Sequence, residues 1–198
     1  MGLLNKRIEF FIVFVALAAL VSCKPSPKNA QRYYENVTDI IEPLLQKENN
    51  LIVLINKEMG KAASGASVLE KPSDNSNAVA DKELDDTFIA FKVQVEQALS
   101  DARRLESFDG ETGLKDALVK LLEEYQQIVS NEYPEILKIV KIPSSVYTNE
   151  DDNKFILLTE KVDDRLQEKI DNFTKESKTF AMKYKFEIAT DNDTIPKK

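Results

Sequence analysis

The strongest constraint on the fold is an apolar spacing of 4-3-4-3-4-3 through Leu84, Phe88, Phe91, Val95, Ala98, Ala102 and Leu105. Alternating steps of four and three residues keep side chains on one face of an α-helix, because one turn takes about 3.6 residues. Two further seams lie downstream. One runs Leu114, Leu118, Leu122, Tyr125, Val129, Tyr133, Ile136 and Val140. The other runs Phe155, Leu158, Val162, Leu166, Ile170, Phe173, Ser177, Phe180 and Tyr184, with Ser177 its polar interruption. A less regular seam precedes them, through Tyr33, Val37, Ile40, Leu44, Leu51, Ile55 and Met59. No stretch sustains the strict alternation of a half-buried strand. The sequence therefore predicts an all-α fold with long helices over about 29–59, 81–107, 113–141 and 150–186. Each helix has one apolar face and is unstable alone, so an antiparallel up-and-down four-helix bundle over residues 29–186 is the economical solution.

Helix breakers and charge order mark the same boundaries. Gly60 and Gly65, then Gly110 and Gly113, fall in two clusters, and Pro143-Ser144-Ser145 through Asn149 marks a third connection. Residues 60–80 are expected to form a flexible polar connection, and residues 187–198 a disordered tail. Pro43 and Pro134 sit inside periodic stretches, where a proline removes a hydrogen bond and kinks or breaks the helix. Acidic residues open the later helices (Asp81 to Asp86; Glu111 and Asp116; Glu150 to Asp152). Basic ones close them (Arg103 and Arg104; Lys138 and Lys141; Lys178, Lys183 and Lys185). That is the sense the helix macrodipole favours. Thr148 or Asn149 is the expected N-cap of the last helix.

Composition removes whole classes of chemistry. The 198 residues include no His and one Cys. Imidazole-based zinc sites, Ser-His or Cys-His catalysis, a histidine switch and an intramolecular disulfide are excluded. With 27 Lys plus Arg against 34 Asp plus Glu, the formal charge of −7 argues against a nucleic-acid partner. The glycines match no phosphate-binding pattern, and Asn149 to Asn153 lacks the Gly and Glu of a calcium loop. No metal and no catalytic residue is predicted.

The N-terminus differs from the rest. Lys6 and Arg7 precede an unbroken apolar run of twelve, Phe10 to Val21, too short for the ~20 residues of a membrane span. Its length and basic flank suit the apolar part of an export signal. The run ends in Leu20-Val21-Ser22-Cys23, which resembles the lipobox of bacterial lipoproteins at every position. The resemblance implies that residues 1–22 are a signal peptide cleaved between Ser22 and Cys23. It implies a diacylglycerol on the Cys23 thiol and a fatty acyl chain such as palmitate on the new amine. No cofactor other than this covalent lipid is expected. Residues 23–28 then form a lipidated tether. Loss of Lys6, Arg7 and Glu9 with the signal leaves 25 basic against 33 acidic side chains, formally −8. Lys24 stands where many inner-membrane lipoproteins carry Asp, which favours the outer membrane and leaves the membrane face open. The mature part loosely resembles uncharacterised all-helical surface-lipoprotein families of Gram-negative bacteria. The resemblances together imply a cell-envelope lipoprotein, outer-membrane or surface, whose bundle is a binding or structural module with a protein or envelope partner.

Other candidates are weighed against plain structural roles. Leu51, Ile52, Val53, Leu54 and Ile55 are apolar around most of a helix and form either a partner patch or a centrally packed segment. Asp85-Asp86, Glu123-Glu124 and Asp163-Asp164 offer paired carboxylates for a membrane-anchored hydrolase, or solvated surface. Phe88, Phe91 and Phe155 would line the cavity of a carrier for an apolar ligand. Tyr33, Tyr34, Tyr125, Tyr133 and Tyr184 could line a pocket, or be half-buried bundle residues. Asp193-Thr194-Ile195 looks like a bacterial O-glycosylation acceptor, with Thr194 as the modified residue.

Overall fold

A computed structural model describes residues 25–64 and 74–188. Among them the chain forms five α-helices and no strand: α1 Pro27–Ser64, α2 Asp74–Arg104, α3 Gly113–Ser130, α4 Glu132–Val140 and α5 Asn149–Tyr184. The all-α expectation is met. The helix α1 packs mainly on α2, α2 on α3, and α3 on α5, while α4 adds contacts to α5 and α1.

The core centres on α3 and α4. Every seam residue from Leu114 to Val140 is buried, and Ala117, Leu121, Ile128, Leu137 and Ile139 are buried beside them. A helix with neighbours on two sides needs this wider apolar face, since a single seam covers only one contact.

Four boundaries depart from expectation, each for a local reason. The third predicted helix, 113–141, is two helices broken at Asn131, whose backbone leaves helical geometry (φ −121, ψ −64). Pro134 causes this. It occupies the third position of α4, where a missing N–H costs nothing because the first turn has no partner for it. The carbonyls at the end of α3 find other donors: the Ser130 hydroxyl to Gln126 at 2.7 Å, and the Asn131 side-chain amide to Gln127 at 2.7 Å. Pro43, by contrast, lies within an uninterrupted α1, flanked by buried Ile41 and Leu44.

The connection expected over 60–80 is much shorter. α1 continues through Gly60 to Ser64 and α2 begins at Asp74. A mid-helix glycine costs about 1 kcal/mol, too little to end a helix anchored by buried Leu51 and Ile55. At its other end α2 stops at Arg104 rather than 107, where the Lys115 ammonium reaches from α3 to the carbonyls of Arg103 and Leu105. A tight Asp109-Gly110 turn follows, with φ of 55 and 74 and the Glu111 N–H donating to the Phe108 carbonyl at 2.9 Å. Positive φ at both central residues is what an Asp-Gly pair tolerates. The turn presses Phe108 edge-on against Phe180 and Tyr184, with centroids 5.6 and 5.0 Å apart.

Thr148, not Asn149, caps α5. Its hydroxyl accepts from the Asp151 N–H at 3.3 Å, and Asp151 accepts from the Thr148 N–H at 2.9 Å, a reciprocal capping box. At the far end Lys185 turns left-handed (φ 58), and the Phe186 N–H reaches back to Ala181. This sets the Phe186 ring against Phe180 and Tyr34, at 5.9 and 5.8 Å.

Candidate functional site

Two polar clusters reach into the apolar interior, each centred on a glutamate, and the Ser177 hydroxyl of α5 is buried apart from them. The first is Glu48 on α1, which faces α3 and α4. Its Oε2 accepts the Tyr125 hydroxyl at 2.8 Å and its Oε1 the Tyr133 hydroxyl at 3.2 Å. Both rings are buried, and Phe91 from α2 meets each edge-on, at 6.2 and 5.5 Å. Burial, followed by the negative charge of Glu48, holds both phenols well above their ordinary pKa. One carboxylate thus ties α1 to both pieces of the broken rod.

The second group surrounds Glu132 at the start of α4, only 4% exposed. Its Oε1 meets Arg165 Nη1 at 2.7 Å and Lys161 Nζ at 2.9 Å, both from α5. Arg165 extends Nε to Glu124 of α3, so its guanidinium joins carboxylates on either side of the helix break. Burial works to raise the Glu132 carboxyl, but the Lys161 hydrogen bond and the charges of Arg165 and Lys161 outweigh it. Its net pKa is lowered. A general acid needs the opposite shift.

The expected candidates separate clearly. Within the apolar run, Leu51 and Ile55 are buried, Ile52 and Leu54 half-buried, and only Val53 is exposed. Central packing therefore accounts for most of that patch. Asp86 and Asp164 face solvent, while Asp85 pairs with Lys141 across to the end of α4. In the Glu123-Glu124 pair, Glu123 meets Arg103 and Glu124 meets Arg165. Phe88 and Phe91 pack on Tyr133, and Phe155 lies half-buried against the same core. Tyr33, Tyr34 and Tyr184 gather with Phe108, Phe180 and Phe186 into one aromatic cluster at the end of the molecule where α1 begins and α5 stops. Burial raises the Tyr34 hydroxyl, partly offset by the neighbouring Ser177 hydroxyl. Leu20, Val21, Ser22, Cys23 and Thr194 lie outside the described residues.

A polar groove of about 410 Å³ runs along the outer face of α3, bounded by Arg103, Lys120, Gln127 and Lys169. Among the described residues no group of three or more His, Cys, Asp or Glu could hold a metal, and no helix is long and apolar enough to cross a membrane.

Sequence reasoning missed Glu48, Glu132 and Arg165. For Glu48 a signal existed: the α1 seam jumps from Leu44 to Leu51, and a 4-3 step puts residue 48 on the core face. The same signal existed for Glu132: Val129 to Ile136 spans seven residues, and a 3-4 step puts residue 132 on the core face. No protein-family model, curated protein or solved structure matches the chain.

Proposed function

We propose that this is a cell-envelope lipoprotein, held by lipid on Cys23 in the outer membrane, whose helical domain is a binding or structural module rather than an enzyme. The observation that carries the reading is the position of the single cysteine. It closes an apolar run at the obligatory place of the lipobox and stands four residues before Pro27, where α1 starts. The domain is taken as an antiparallel up-and-down four-helix bundle in which α3 and α4 together make one broken third helix. The order of packing, α1 on α2, α2 on α3 and α3 on α5, supports that arrangement.

The interior supports a scaffold over a reaction centre. Glu48 is engaged by two tyrosines, and Glu132 by two cations. Phe88 and Phe91 fill space against tyrosine rings, which favours a packed seam over an apolar ligand cavity. Fractionation of cells carrying the wild-type chain or Cys23→Ser tests the reading. Wild type is expected in the membrane fraction after a high-salt wash and the variant in the soluble fraction; equal distribution refutes it. Protease shaving of intact cells and crosslinked pull-down then identify the exposed face and the partner.

A further inference from the structure

The helix α1 carries a second seam beside the one that builds the core. Leu45, Asn49, Ile52, Asn56 and Met59 follow spacings of 4-3-4-3, one residue out of step with buried Leu44, Leu51 and Ile55. Asn49 and Asn56 are exposed, Leu45 is 38% exposed, and Ile52 and Met59 are half-buried at the edge of the core. No residue of this seam is charged, along ~21 Å of helix surface. The chain as a whole is 31% charged, and the outward faces of the other long helices show it. α3 presents Asp116, Lys120 and Glu123, and α5 presents Glu160, Asp164 and Asp171. On α2, exposed Ile89 and Val93 are closed in by Asp86 before them and Glu96 after them.

What the seam lacks and what it holds both fit a second copy of itself. In a two-fold pair of parallel helices each seam residue meets its own counterpart, and like charges so placed repel. An asparagine amide both donates and accepts, so Asn49 and Asn56 can each satisfy their counterparts while Leu45, Ile52 and Met59 pack on theirs. Asparagine at one of the two alternating seam positions is the device that fixes register and strand number in coiled coils. Glu42 holds the next position toward the start of α1 and would face its own copy, so the seam ends at Leu45. Asp163 of α5 acts on the Tyr133 hydroxyl that Glu48 accepts, so its charge lies beside the seam, where water screens it. The anchor sets the sense of pairing. Four residues from Cys23 to Pro27 span at most ~14 Å, so two copies on one membrane present the same end of α1 to it.

We propose that α1 is a homodimer interface: two copies anchored in one membrane pair in parallel through Leu45, Asn49, Ile52, Asn56 and Met59. The proposal rests on the lipid-anchor reading, which aligns the copies. One helix pair of this length falls short of the ~1,000 Å² that a stable complex in solution buries. Confinement to a shared membrane makes up the difference by raising the effective concentration of each copy for the other.

Crosslinking in membranes tests it. Full-length protein extracted from membranes, wild type or with one added cysteine, is reconstituted into phosphatidylcholine vesicles, floated after a high-salt wash and oxidised. A disulfide forms only where Cα atoms come within about 7 Å. Asn49→Cys and Asn56→Cys should each crosslink to their own copies. Ile89→Cys and Val93→Cys, on exposed α2, should not. Adding Asn56→Asp to Asn49→Cys sets two carboxylates against each other and should lower the crosslinked fraction more than tenfold, whereas adding Asn56→Ala should keep most of it. No crosslink at 49 and 56, crosslinks as strong on α2, or indifference to Asn56→Asp would overturn the proposal. So would Asn49→Cys crosslinking only to Asn56→Cys in a mixture of the two, the mark of antiparallel pairing. Failure of the anchor looks different: the protein no longer floats, or wild type itself crosslinks through a free Cys23 thiol.

Discussion

Replacing Glu48 by Ala is the sharpest perturbation of the interior. Two buried tyrosine hydroxyls, now 2.8 and 3.2 Å from the carboxylate, lose their acceptor together. A buried polar group left without a partner costs about 1–3 kcal/mol, more when the lost partner is charged. Glu48 itself is only partly buried, so water entering from its solvent side relieves some of this. The expected loss is about 3 kcal/mol, or roughly 6–12 °C in Tm for a domain of this size. Denaturant unfolding followed by far-ultraviolet circular dichroism measures it. The triple change Glu48→Leu, Tyr125→Phe, Tyr133→Phe removes the carboxylate and both hydroxyls at once and should regain most of the loss, because neither hydroxyl is left without its acceptor. A Glu48→Ala protein within 0.5 kcal/mol of wild type would refute the reasoning. So would a triple variant no more stable than the single.

The same node has an alkaline signature. Both phenols keep their protons to higher pH in the fold than the ordinary 10.0 of an unfolded chain. Their contribution is whole below pH 10 and lost as pH rises above it. Unfolding in alkali should move to higher pH in the Tyr125→Phe, Tyr133→Phe pair, as followed by circular dichroism. Arg165→Ala leaves a buried Glu132 with Lys161 alone and should cost ~3 kcal/mol in denaturant unfolding. The lowered Glu132 carboxyl contributes stability above its unfolded pKa that is lost as pH falls through the folded one, so Glu132→Gln should flatten the acid limb of stability. Thr148→Ala removes the cap of α5 and should cost ~1 kcal/mol, with faster amide exchange confined to the first turn of that helix.

Helix identity was legible because one number, the 3.6-residue turn, governs both sequence spacing and burial. Each residue of the 114–140 seam is in the core, and Ser177, the polar interruption in the last seam, is buried as the spacing required. Helix ends were less legible because they depend on balances between distant groups. Gly60 failed to end α1, where buried neighbours outweigh its intrinsic cost, whereas Lys115 helps end α2 from a different helix. Pro134 announced a disturbance, but only the geometry at Asn131 shows that it starts a new helix rather than bending an old one. The polar interior was least legible. A glutamate in a seam looks like an error in an apolar pattern until the tyrosines that occupy it are seen together. Adjacent carboxylate pairs drew attention by sequence, yet the acids that matter to the core, Glu48 and Glu132, lie 84 residues apart and serve different partners.

The central claim, that Cys23 carries the protein to its membrane, is tested most directly by mass spectrometry of the N-terminal peptide from membrane-extracted protein. A chain beginning at Cys23, with diacylglycerol on its sulfur and an acyl chain on its amine, is the expected result. A free Cys23 thiol, or an intact start at Met1, contradicts it.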